Sequence, residues 1–410
     1  MNLHLNKSVI ESKSSIQITG SKSESNRLLL LQALYPSIKI ENVSNSDDSV
    51  LMSKALASKD QIVDIHHAGT AMRFLSAYFS TKEGRVTELT GSKRMKERPI
   101  AILVDALNQL GADITYKENH GFPPLIIKGK KLTKSKVNLK ANVSSQYISA
   151  LLLIASTLEN GLELTLDGEI TSVPYIKMTL SLLNQIGIKT TFEGNIITIQ
   201  PKQQSQVDLK QLTVESDWSS ASYFYSIVAM SALGTTIKLS SYKQDSLQGD
   251  SVLAKIYQAF GVTTTYSNNA VTLEKTKDVN QDTNIEFDLK NAPDIAQTIS
   301  VTAFGLGLSC HLTGLHTLKI KETDRLVALK TEIEKLGGQV AITDNSLTLQ
   351  KVTKHNANIA IATYNDHRMA MAFAPLALKQ DIIIQDYKVV SKSYPTFWDD
   401  LAALGFIFSV

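Results

Sequence analysis

The sequence predicts an α+β protein of two domains, each assembled from compact strand-and-helix subdomains that follow one another along the chain. A chain of 410 residues is too long for a single hydrophobic core. Helical apolar patterns end in a glycine at Gly111, Gly187, Gly261 and Gly337, with spacings of 76, 74 and 76 residues. Each glycine is followed by two short strand patterns around a polar turn. A period this long is unlike that of a solenoid and favours compact subdomains.

The helix and hairpin of each repeat are predicted from local signals. Glycine adopts the left-handed conformation without strain, so each of the four glycines is expected just after the end of a helix. A truncated copy ends the chain at 401–406, a degenerate first copy covers 28–40, and the polar stretch 201–206 suits a boundary between two sets of three. Hairpins are expected at 114–127, 189–199, 262–273 and 340–349.

Composition narrows the class of protein. Hydrophobic residues make up 43% of the chain and charged residues 20%, as in globular proteins. The net charge of +3 is too small to indicate nucleic-acid binding, and the apolar stretch 148–158 is too short to span a bilayer. Residues 1–15 lack the apolar core of a secretory signal. The single cysteine, Cys310, has apolar neighbours that favour a buried thiol over a nucleophile. We therefore expect a cytoplasmic protein with no membrane or nucleic-acid partner.

Five short runs place basic side chains among glycines, hydroxyls and amides. They are Gly20–Arg27, Ala68–Arg73, Lys93–Pro99, Lys321–Arg325 and Asn365–Arg368. Glycine lets a backbone approach a ligand, and arginine binds phosphate or carboxylate through two parallel hydrogen bonds. One such run is usually a surface turn, but five indicate a site for ligands with several negative charges. The first run lacks the spacing of a P-loop and no residue set has metal-ligand spacing, so neither nucleotide nor metal is expected.

The same runs carry a family resemblance. Eight motifs occur in order along the chain, and together they resemble the 5-enolpyruvylshikimate-3-phosphate synthase family over essentially its whole length. The motifs are G-S-K-S-x-S-N-R at Gly20, A-G-T-A-M-R at Ala68, R-M-K-E-R-P at Arg94, S-S-Q at Ser144, S-x-P-Y at Ser172, K-E-[ST]-D-R at Lys321, N-D-H-R-M at Asn365 and K-[ST]-[FY]-P at Lys392.

The resemblance implies both a fold and a reaction. The family's fold has two lobes, each of three repeated subdomains around helices, with the active site in the cleft. It implies one lobe at 20–216 and a discontinuous lobe at 1–19 and 217–410. The family transfers the enolpyruvyl group of phosphoenolpyruvate to shikimate 3-phosphate and releases phosphate, in the shikimate pathway of aromatic amino-acid biosynthesis. We expect a monomer that acts on these two anionic small molecules and uses no cofactor.

The resemblance also assigns substrate-binding residues. From the residues alone, Ser23 or Ser25 would cap a helix over 28–34, and Ser144-Ser145-Gln146 would be a helix cap. By resemblance, shikimate 3-phosphate binds Lys22, Ser23, Arg27, Ser144, Ser145, Gln146, Ser172, Tyr175, Asp294 and Lys321. Phosphoenolpyruvate binds Lys22, Gly69, Arg98, Gln146, Arg325, Arg368 and Lys392.

Three residues are implied in the proton transfers. Asp294 aligns with the base that accepts the 5-hydroxyl proton, Glu322 aligns with the carboxyl at the methylene carbon, and Lys22 shares proton transfer. In isolation, Glu322 also fits an i,i+3 helix pair with Arg325. Arg73 and Arg94 are expected to be structural, and His367 to orient its loop.

The chain departs from the usual family pattern at four positions. His67, Phe74, Thr317 and Val173 replace a common Asn, Pro, Asn and basic residue, which bears on shikimate 3-phosphate affinity and the response to glyphosate. Two alternative functions remain. One is the paralogous transfer to UDP-N-acetylglucosamine, whose family uses a loop cysteine, unlike the apolar segment around Cys310. The other is an inactive ligand-binding scaffold.

Overall fold

The computed structural model describes residues 1–141, 144–168, 170, 173–202, 207–352 and 356–410. The chain packs into two compact units. The inserted unit is Gly20–Val214, and the terminal unit combines Met1–Thr19 with Glu215–Val410. Within the described ranges, no helix is long and apolar enough to cross a membrane.

Strands and helices alternate along both units. The strands are β1 (Asn2–Asn6), β2 (Lys13–Ile16), β3 (Ile38–Glu41), β4 (Ile62–Asp64), β5 (Val86–Thr90), β6 (Asp113–Tyr116), β7 (Leu125–Lys128), β8 (Lys136–Lys140), β9 (Leu162–Asp167), β10 (Thr190–Glu193), β11 (Ile196–Ile199), β12 (Lys210–Thr213), β13 (Thr236–Ser240), β14 (Val262–Ser267), β15 (Ala270–Lys275), β16 (Asn284–Asp288), β17 (Ser309–Thr313), β18 (Val340–Ile342), β19 (Leu347–Leu349), β20 (Ile359–Ile361), β21 (Ile382–Gln385) and β22 (Ile407–Ser409).

The helices are α1 (Lys22–Leu34), α2 (Asp47–Ala57), α3 (Gly69–Ser80), α4 (Lys93–Lys96), α5 (Ala101–Gln109), α6 (Ser145–Ala155), α7 (Val173–Gln185), α8 (Trp218–Met230), α9 (Leu253–Ile256), α10 (Ala296–Gly305), α11 (Arg325–Lys335), α12 (His367–Phe373) and α13 (Phe397–Leu404). Turns of 3₁₀ helix lie at Gly249–Val252, Tyr257–Phe260, Pro293–Ile295, His316–Ile320, Ala374–Leu378 and Tyr387–Lys392.

Among the described residues, five four-stranded sheets share one topology. In each, the first two strands are parallel and the other two are antiparallel to their neighbours. Parallel neighbours need a crossover connection, so helices lie between them along the chain. The strand orders are β4-β5-β7-β6 and β8-β9-β11-β10 in the inserted unit, and β2-β13-β15-β14, β16-β17-β19-β18 and β20-β21-β1-β22 in the terminal unit.

The local signals of the repeat are confirmed. Gly111, Gly187, Gly261 and Gly337 have φ values of 101°, 78°, 77° and 98°, in the left-handed region where an L-residue is strained. The four expected hairpins are β6–β7, β10–β11, β14–β15 and β18–β19.

The truncated copy at the end of the chain is completed by its beginning. After α13 and Gly405, whose φ is 103°, β22 forms the edge of a sheet. The neighbour that a hairpin would supply is β1, with His4 opposite Ser409 and Asn6 opposite Ile407. The two chain termini therefore take the place of one hairpin.

The degenerate first copy of the repeat, at 28–40, belongs to a subdomain with a smaller sheet than the other five. Strands β3 and β12 form a two-stranded parallel sheet, with Ile38 opposite Lys210 and Glu41 opposite Thr213. Helices α1 and α2 belong to this subdomain and pack against each other.

Helices occupy the interior of each unit. Every residue of α3, α8 and α10 is buried. In the inserted unit α3 packs against α6, and in the terminal unit α10 packs against α8 and α12. A helix buried on all sides belongs to the core, so its ends are held rigidly by the surrounding subdomains.

Candidate active site

The predicted site residues of the inserted unit lie mostly in the first turns of buried helices. Lys22 and Ser23 open α1, Gly69 opens α3, Ser145 opens α6, and Arg98 lies shortly before α5. The first turn of a helix presents unpaired N–H groups and the positive end of the helix dipole. These positions are therefore suited to binding anions.

Helix α1 begins at Lys22 rather than at residue 28, so the prediction that Ser23 or Ser25 caps the helix is wrong. Ser21 occupies the N-cap position and forms no side-chain cap. Ser25 Oγ instead accepts a hydrogen bond from the backbone N–H of Ser44 at 2.9 Å. Ser23 and Ser25 therefore lie within the helix, and the Ser25 hydroxyl bonds a residue outside it.

Arg27 is a buried guanidinium whose hydrogen-bond acceptors are all neutral. Its Nε donates to Thr179 Oγ1 at 2.8 Å, Nη2 to Ser149 Oγ at 2.9 Å, and Nη1 to the Ser23 carbonyl at 2.7 Å. Burial lowers the pKa of Arg27 to about 10, against the opposing effects of Tyr175 and Glu24. Among the described residues, Arg27 is thus a desolvated cation without a hydrogen-bonded counter-charge.

Two aromatic rings lie beside Arg27. Its guanidinium carbon is 5.4 Å from the centroid of Phe74 and 5.8 Å from that of Tyr175. Tyr175 was expected in the shikimate 3-phosphate pocket, and the structure places it against the arginine predicted for the same pocket. Ser172, from the same motif, lies outside the described residues.

Arg98 and Gly69 lie together. A Cβ at Gly69 would meet the Arg98 guanidinium, whose central carbon is 3.1 Å from that position. The Arg98 backbone N–H donates to the Met95 carbonyl at 3.1 Å, but its guanidinium forms no hydrogen bond or ion pair with any described residue. Arg73 is 4% exposed and donates to the carbonyls of Gly69 and Pro99 at 3.2 and 3.1 Å, which is a structural role. Arg94 pairs with Glu97 at the surface at 3.0 Å.

The Ser144-Ser145-Gln146 segment starts α6 as a helix cap. Ser144 Oγ accepts from the Gln146 N–H at 3.4 Å, and Ser145 is 8% exposed. Gln146 Nε2 donates to Thr70 Oγ1 at 3.2 Å, which joins the first turns of α6 and α3. Lys22 Nζ lies 3.7 Å from Asp48 Oδ2.

In the terminal unit, three cations surround Asp294, which lies just before α10. Its Oδ1 is 2.8 Å from Arg325 Nη1 and 3.3 Å from Lys321 Nζ, and its Oδ2 is 3.4 Å from Arg368 Nη2. Burial alone would raise the pKa of Asp294, but the three positive charges hold it well below its usual range. Asp294 is therefore ionised at neutral pH.

Arg325 is saturated by carboxylates. It is 2% exposed, and its Nε, Nη1 and Nη2 donate to Asp366 Oδ2 at 2.6 Å, Asp294 Oδ1 at 2.8 Å and Glu322 Oε2 at 2.9 Å. Burial would lower the pKa of Arg325, but these carboxylates raise it above its ordinary value. The i,i+3 pair with Glu322 is present, alongside the contact with Asp294.

Sequence reasoning missed Asp366. It is fully buried, accepts from Arg325, and caps α12 by accepting from the Arg368 N–H at 2.9 Å. The sequence did contain a signal for the helix cap, because an Asp directly before a helix is a common N-cap. The contact of Asp366 with Arg325, 41 residues away, has no local sequence signal.

Arg368 and Lys392 are held differently from Arg325. Arg368 Nη2 donates to Ser219 Oγ at 3.2 Å, and its Nε is buried without a hydrogen-bond partner in the described part of the chain. Lys392 Nζ donates to the Asn365 carbonyl at 2.6 Å. Asn365 and Tyr364 both have positive φ, at 55° and 53°, and such strained turns often occur at functional sites.

Neither a thiol nucleophile nor a metal centre is found in the described ranges. Cys310 is 1% exposed, and burial raises the pKa of its thiol to about 12. No group of three or more His, Cys, Asp and Glu side chains among the described residues could hold a metal ion. Asp294 and the buried Asp366 have arginines as partners instead.

The two units offer complementary chemistry. The inserted unit carries Arg27 and Arg98 without hydrogen-bonded carboxylates, so both can bind anionic groups of a ligand. The terminal unit holds an ionised carboxylate, Asp294, within a network of cations. Such a carboxylate can accept a proton from a bound hydroxyl group.

Comparisons with known proteins point to one family. A family model for EPSP synthase (3-phosphoshikimate 1-carboxyvinyltransferase) matches residues 39–401. A 3-phosphoshikimate 1-carboxyvinyltransferase of Bacteroides fragilis is 46% identical over 404 residues, covering 96% of both chains. One of Haemophilus influenzae is 36% identical over 417 residues, covering 94% of this chain and 95% of the relative.

Solved structures show the same fold. An EPSP synthase from Acinetobacter baumannii superposes with a TM-score of 0.82 at 20% identity, covering 100% of this chain and 99% of the other. The enolpyruvyl transferase NikO from Streptomyces tendae gives a TM-score of 0.73 at 14% identity, covering 100% and 98%. The predicted α+β enolpyruvyl transferase fold is confirmed. From its sequence relatives, the chain belongs to the EPSP synthase family, the 3-phosphoshikimate 1-carboxyvinyltransferases.

Proposed function

We propose that this protein transfers the 1-carboxyvinyl group of phosphoenolpyruvate to the 5-hydroxyl of shikimate 3-phosphate and releases phosphate. The observation that carries the proposal is the 46% identity to a 3-phosphoshikimate 1-carboxyvinyltransferase along nearly the full length of both chains. The geometry around Asp294 supports it, because an ionised carboxylate lies among three cations. The alternative transfer to UDP-N-acetylglucosamine lacks a reactive thiol at Cys310.

The proposed proton transfers use two carboxylates, Asp294 and Glu322. Asp294 accepts the proton of the 5-hydroxyl, and the oxygen attacks the second carbon of phosphoenolpyruvate while the methylene carbon gains a proton. Loss of a proton from that carbon then expels phosphate from the tetrahedral intermediate. Glu322 acts at the methylene carbon, and Lys22 shares the proton transfer. The cations that stabilise Asp294 also weaken it as a base, so their rearrangement toward the substrate anions would strengthen it.

The arginines differ in how readily they can bind phosphoenolpyruvate. Among the described residues, the Arg98 guanidinium has no hydrogen-bond partner and the buried Nε of Arg368 has none, so both side chains have donors available for the substrate. Arg325 has each of its nitrogens bound to a carboxylate and contributes mainly by holding Asp294, Glu322 and Asp366 in place. Lys22, Lys392, Gly69 and Gln146 complete the proposed phosphoenolpyruvate residues.

Shikimate 3-phosphate binds chiefly through the inserted unit. Arg27, Ser23, Tyr175 and the α6 cap residues Ser144 and Ser145 are its proposed ligands, joined by Ser172, Gln146, Lys22, Asp294 and Lys321. The two units are proposed to be the two lobes of the family fold, and the protein to act as a cytoplasmic monomer.

Phosphate release from phosphoenolpyruvate tests the reaction. It should require shikimate 3-phosphate, and neither UDP-N-acetylglucosamine nor buffer should replace it. Turnover with UDP-N-acetylglucosamine alone would establish the paralogous activity, and no phosphate release with either acceptor would establish an inactive ligand-binding relative.

Chelation tests whether protein side chains alone neutralise the substrate charge. EDTA should leave the rate unchanged, since lysines, arginines and neutral donors are the proposed ligands of the phosphate and carboxylate groups of both substrates. Loss of turnover in EDTA with recovery on adding Mg²⁺ would contradict this assignment. Sedimentation velocity at assay concentrations checks the proposed monomer.

A further inference from the structure

A loop that carries no proposed substrate ligand is docked on the first turn of α8. Gln248 Oε1 accepts from the Trp218 N–H at 3.0 Å, and Gln248 Nε2 donates to the Ser216 carbonyl at 2.9 Å. Glu215, 3% exposed, accepts from Trp218 Nε1 at 2.8 Å and from Ser246 Oγ at 2.6 Å. These bonds fix the loop to the start of α8.

Asp250, two residues after Gln248 in the same loop, is a buried carboxylate without an ion-pair partner among the described residues. It is 5% exposed and forms no salt bridge with any described residue. Its side chain accepts a short hydrogen bond from Ser219 Oγ in the first turn of α8. Burial, reinforced by the negative charge of Asp294, raises the pKa of Asp250 to about 6, although the positive charge of Arg368 and the Ser219 hydrogen bond oppose the shift. A buried carboxylate is costly, so its retention in the fold needs a reason.

Ser219 connects Asp250 to the candidate active site. A serine hydroxyl has one proton and two lone pairs, and here the proton is directed to Asp250. The lone pairs therefore remain for Arg368, whose Nη2 donates to Ser219 Oγ at 3.2 Å. The same Nη2 lies 3.4 Å from Asp294 Oδ2. Arg368 is thus held between Ser219 on one side and Asp294 on the other.

We propose that Asp250 acts through Ser219 to orient the Arg368 guanidinium for phosphoenolpyruvate. Asp250 and Ser219 are positioning residues, since neither is placed against a reacting atom. The inference rests on the proposed function, in which Arg368 binds that substrate. Without the Ser219 acceptor, Arg368 would turn toward the remaining carboxylate, Asp294, and away from its orientation for the substrate.

Kinetics of Ser219→Ala and Asp250→Asn test this proposal. Each should raise the KM for phosphoenolpyruvate by about tenfold, because a charge-assisted contact loses its orientation, and should change kcat less. The KM for shikimate 3-phosphate should stay near the wild-type value. Ser219→Thr, which keeps the hydroxyl, should recover most of the loss. An unchanged KM for phosphoenolpyruvate in both single variants would overturn the proposal.

The double variant tests the route through Ser219. If Asp250 acts only through the serine, Ser219→Ala/Asp250→Asn should be no worse than the more affected single variant. Effects that multiply would show that Asp250 acts independently of Ser219 and would contradict the proposal.

A matched control separates positioning from general packing. Ser226 lies on the same helix, is fully buried, and accepts from Thr302 Oγ1 at 2.8 Å, with no contact to Arg368. Ser226→Ala should lower the melting temperature as Ser219→Ala does while leaving both KM values unchanged. A rise in the KM for phosphoenolpyruvate in Ser226→Ala equal to that in Ser219→Ala would assign the effect to packing and overturn the proposal.

Calorimetry distinguishes failure of this proposal from failure of the proposed function. Wild-type protein that neither turns over nor binds phosphoenolpyruvate beside shikimate 3-phosphate would refute the proposed function itself. Active wild type with variants that bind phosphoenolpyruvate as tightly would refute only the role of Asp250 and Ser219.

Discussion

Buried arginines in the two units are stabilised in opposite ways. In the inserted unit, Arg27 and Arg73 bond only to neutral groups, and burial lowers the pKa of each to about 10. In the terminal unit, Arg325 and Arg368 lie among carboxylates that raise their pKa above the ordinary value. The inserted unit therefore keeps cations ready for a ligand's negative charge, whereas the terminal unit neutralises its own.

This difference agrees with the division of roles that we propose for the units. A desolvated arginine without a carboxylate partner gains most from an anionic ligand, because the ligand replaces a missing counter-charge. A carboxylate held among arginines stays ionised and fixed in place, as a general base must be. The comparison makes the following quantitative predictions.

Removing one arginine from each unit should have unequal effects on stability. Arg325→Met leaves Asp294, Glu322 and Asp366 without their shared cation and should lower the free energy of unfolding by about 3–5 kcal/mol. Arg27→Met removes a donor to the hydroxyls of Ser149 and Thr179, but these already bond each other at 3.0 Å. This substitution should therefore lower the free energy of unfolding by no more than about 1.5 kcal/mol. Urea denaturation of both variants measures the difference, and equal losses would contradict the comparison.

Arg27→Met should nevertheless weaken shikimate 3-phosphate binding by at least about tenfold, since a charge-assisted contact is lost. Calorimetry checks this, and the exposed Arg94→Met serves as the matched control with unchanged affinity.

The stability of the wild type should depend on pH through Asp250. Burial raises the pKa of Asp250 from 3.8 to about 6, so the folded protein holds the proton more tightly than the unfolded chain does. The resulting contribution to the free energy of unfolding is present below about pH 4 and is lost as pH rises through 6. Relative to Asp250→Asn, the wild type should lose roughly 3 kcal/mol between these limits. Urea titrations of the two proteins at pH 4, 5, 6 and 7 measure this. A constant difference between them would show that Asp250 titrates normally.

Removing the carboxylate at the centre of the terminal unit should affect chemistry more than binding. Asp294→Asn should lower kcat by at least about 10²-fold, because the base is lost, while shikimate 3-phosphate binding stays nearly intact. Glu322→Gln should behave likewise. Asp282→Asn, at a surface pair with Lys351, is the control and should keep the wild-type kcat. Near wild-type kcat in either active-site variant would remove its catalytic role.

The smallest expected effect concerns Arg98 in the inserted unit, whose guanidinium lies beside Gly69. A methyl group at Gly69 would push the Arg98 guanidinium aside, so Gly69→Ala should raise the KM for phosphoenolpyruvate several-fold, within roughly 1 kcal/mol. Glyphosate should inhibit the wild type. Because glyphosate is the longer anion, Gly69→Ala should weaken its binding more than that of phosphoenolpyruvate. Competition kinetics decide this. An unchanged inhibition constant for glyphosate would contradict a place for Gly69 beside this ligand. Full additivity of the effects of Gly69→Ala and Arg98→Met on the KM would show that Gly69 does not act through Arg98.

The repeat could be predicted because its signals are local. Glycines at 111, 187, 261 and 337 end helices wherever the chain must enter the left-handed region, and polar turns join adjacent strands. Motif positions such as Gly69 and Asp294 were also identifiable, because they match a family pattern residue by residue. The roles of these residues at the site stay predictions.

Tertiary structure alone decided the long-range partners. The pairing of β1 with β22 joins residues about 400 positions apart, and Asp366 meets Arg325 across 41 positions. The Ser25 hydroxyl accepts a hydrogen bond from the Ser44 N–H, 19 residues away, and no cap signal could reveal that partner. Asp250, Ser219 and Arg368 likewise come together only in the folded chain. Backbone conformation follows from nearest neighbours, whereas the neutralisation of a buried charge depends on whichever distant groups the packed helices bring within hydrogen-bond reach.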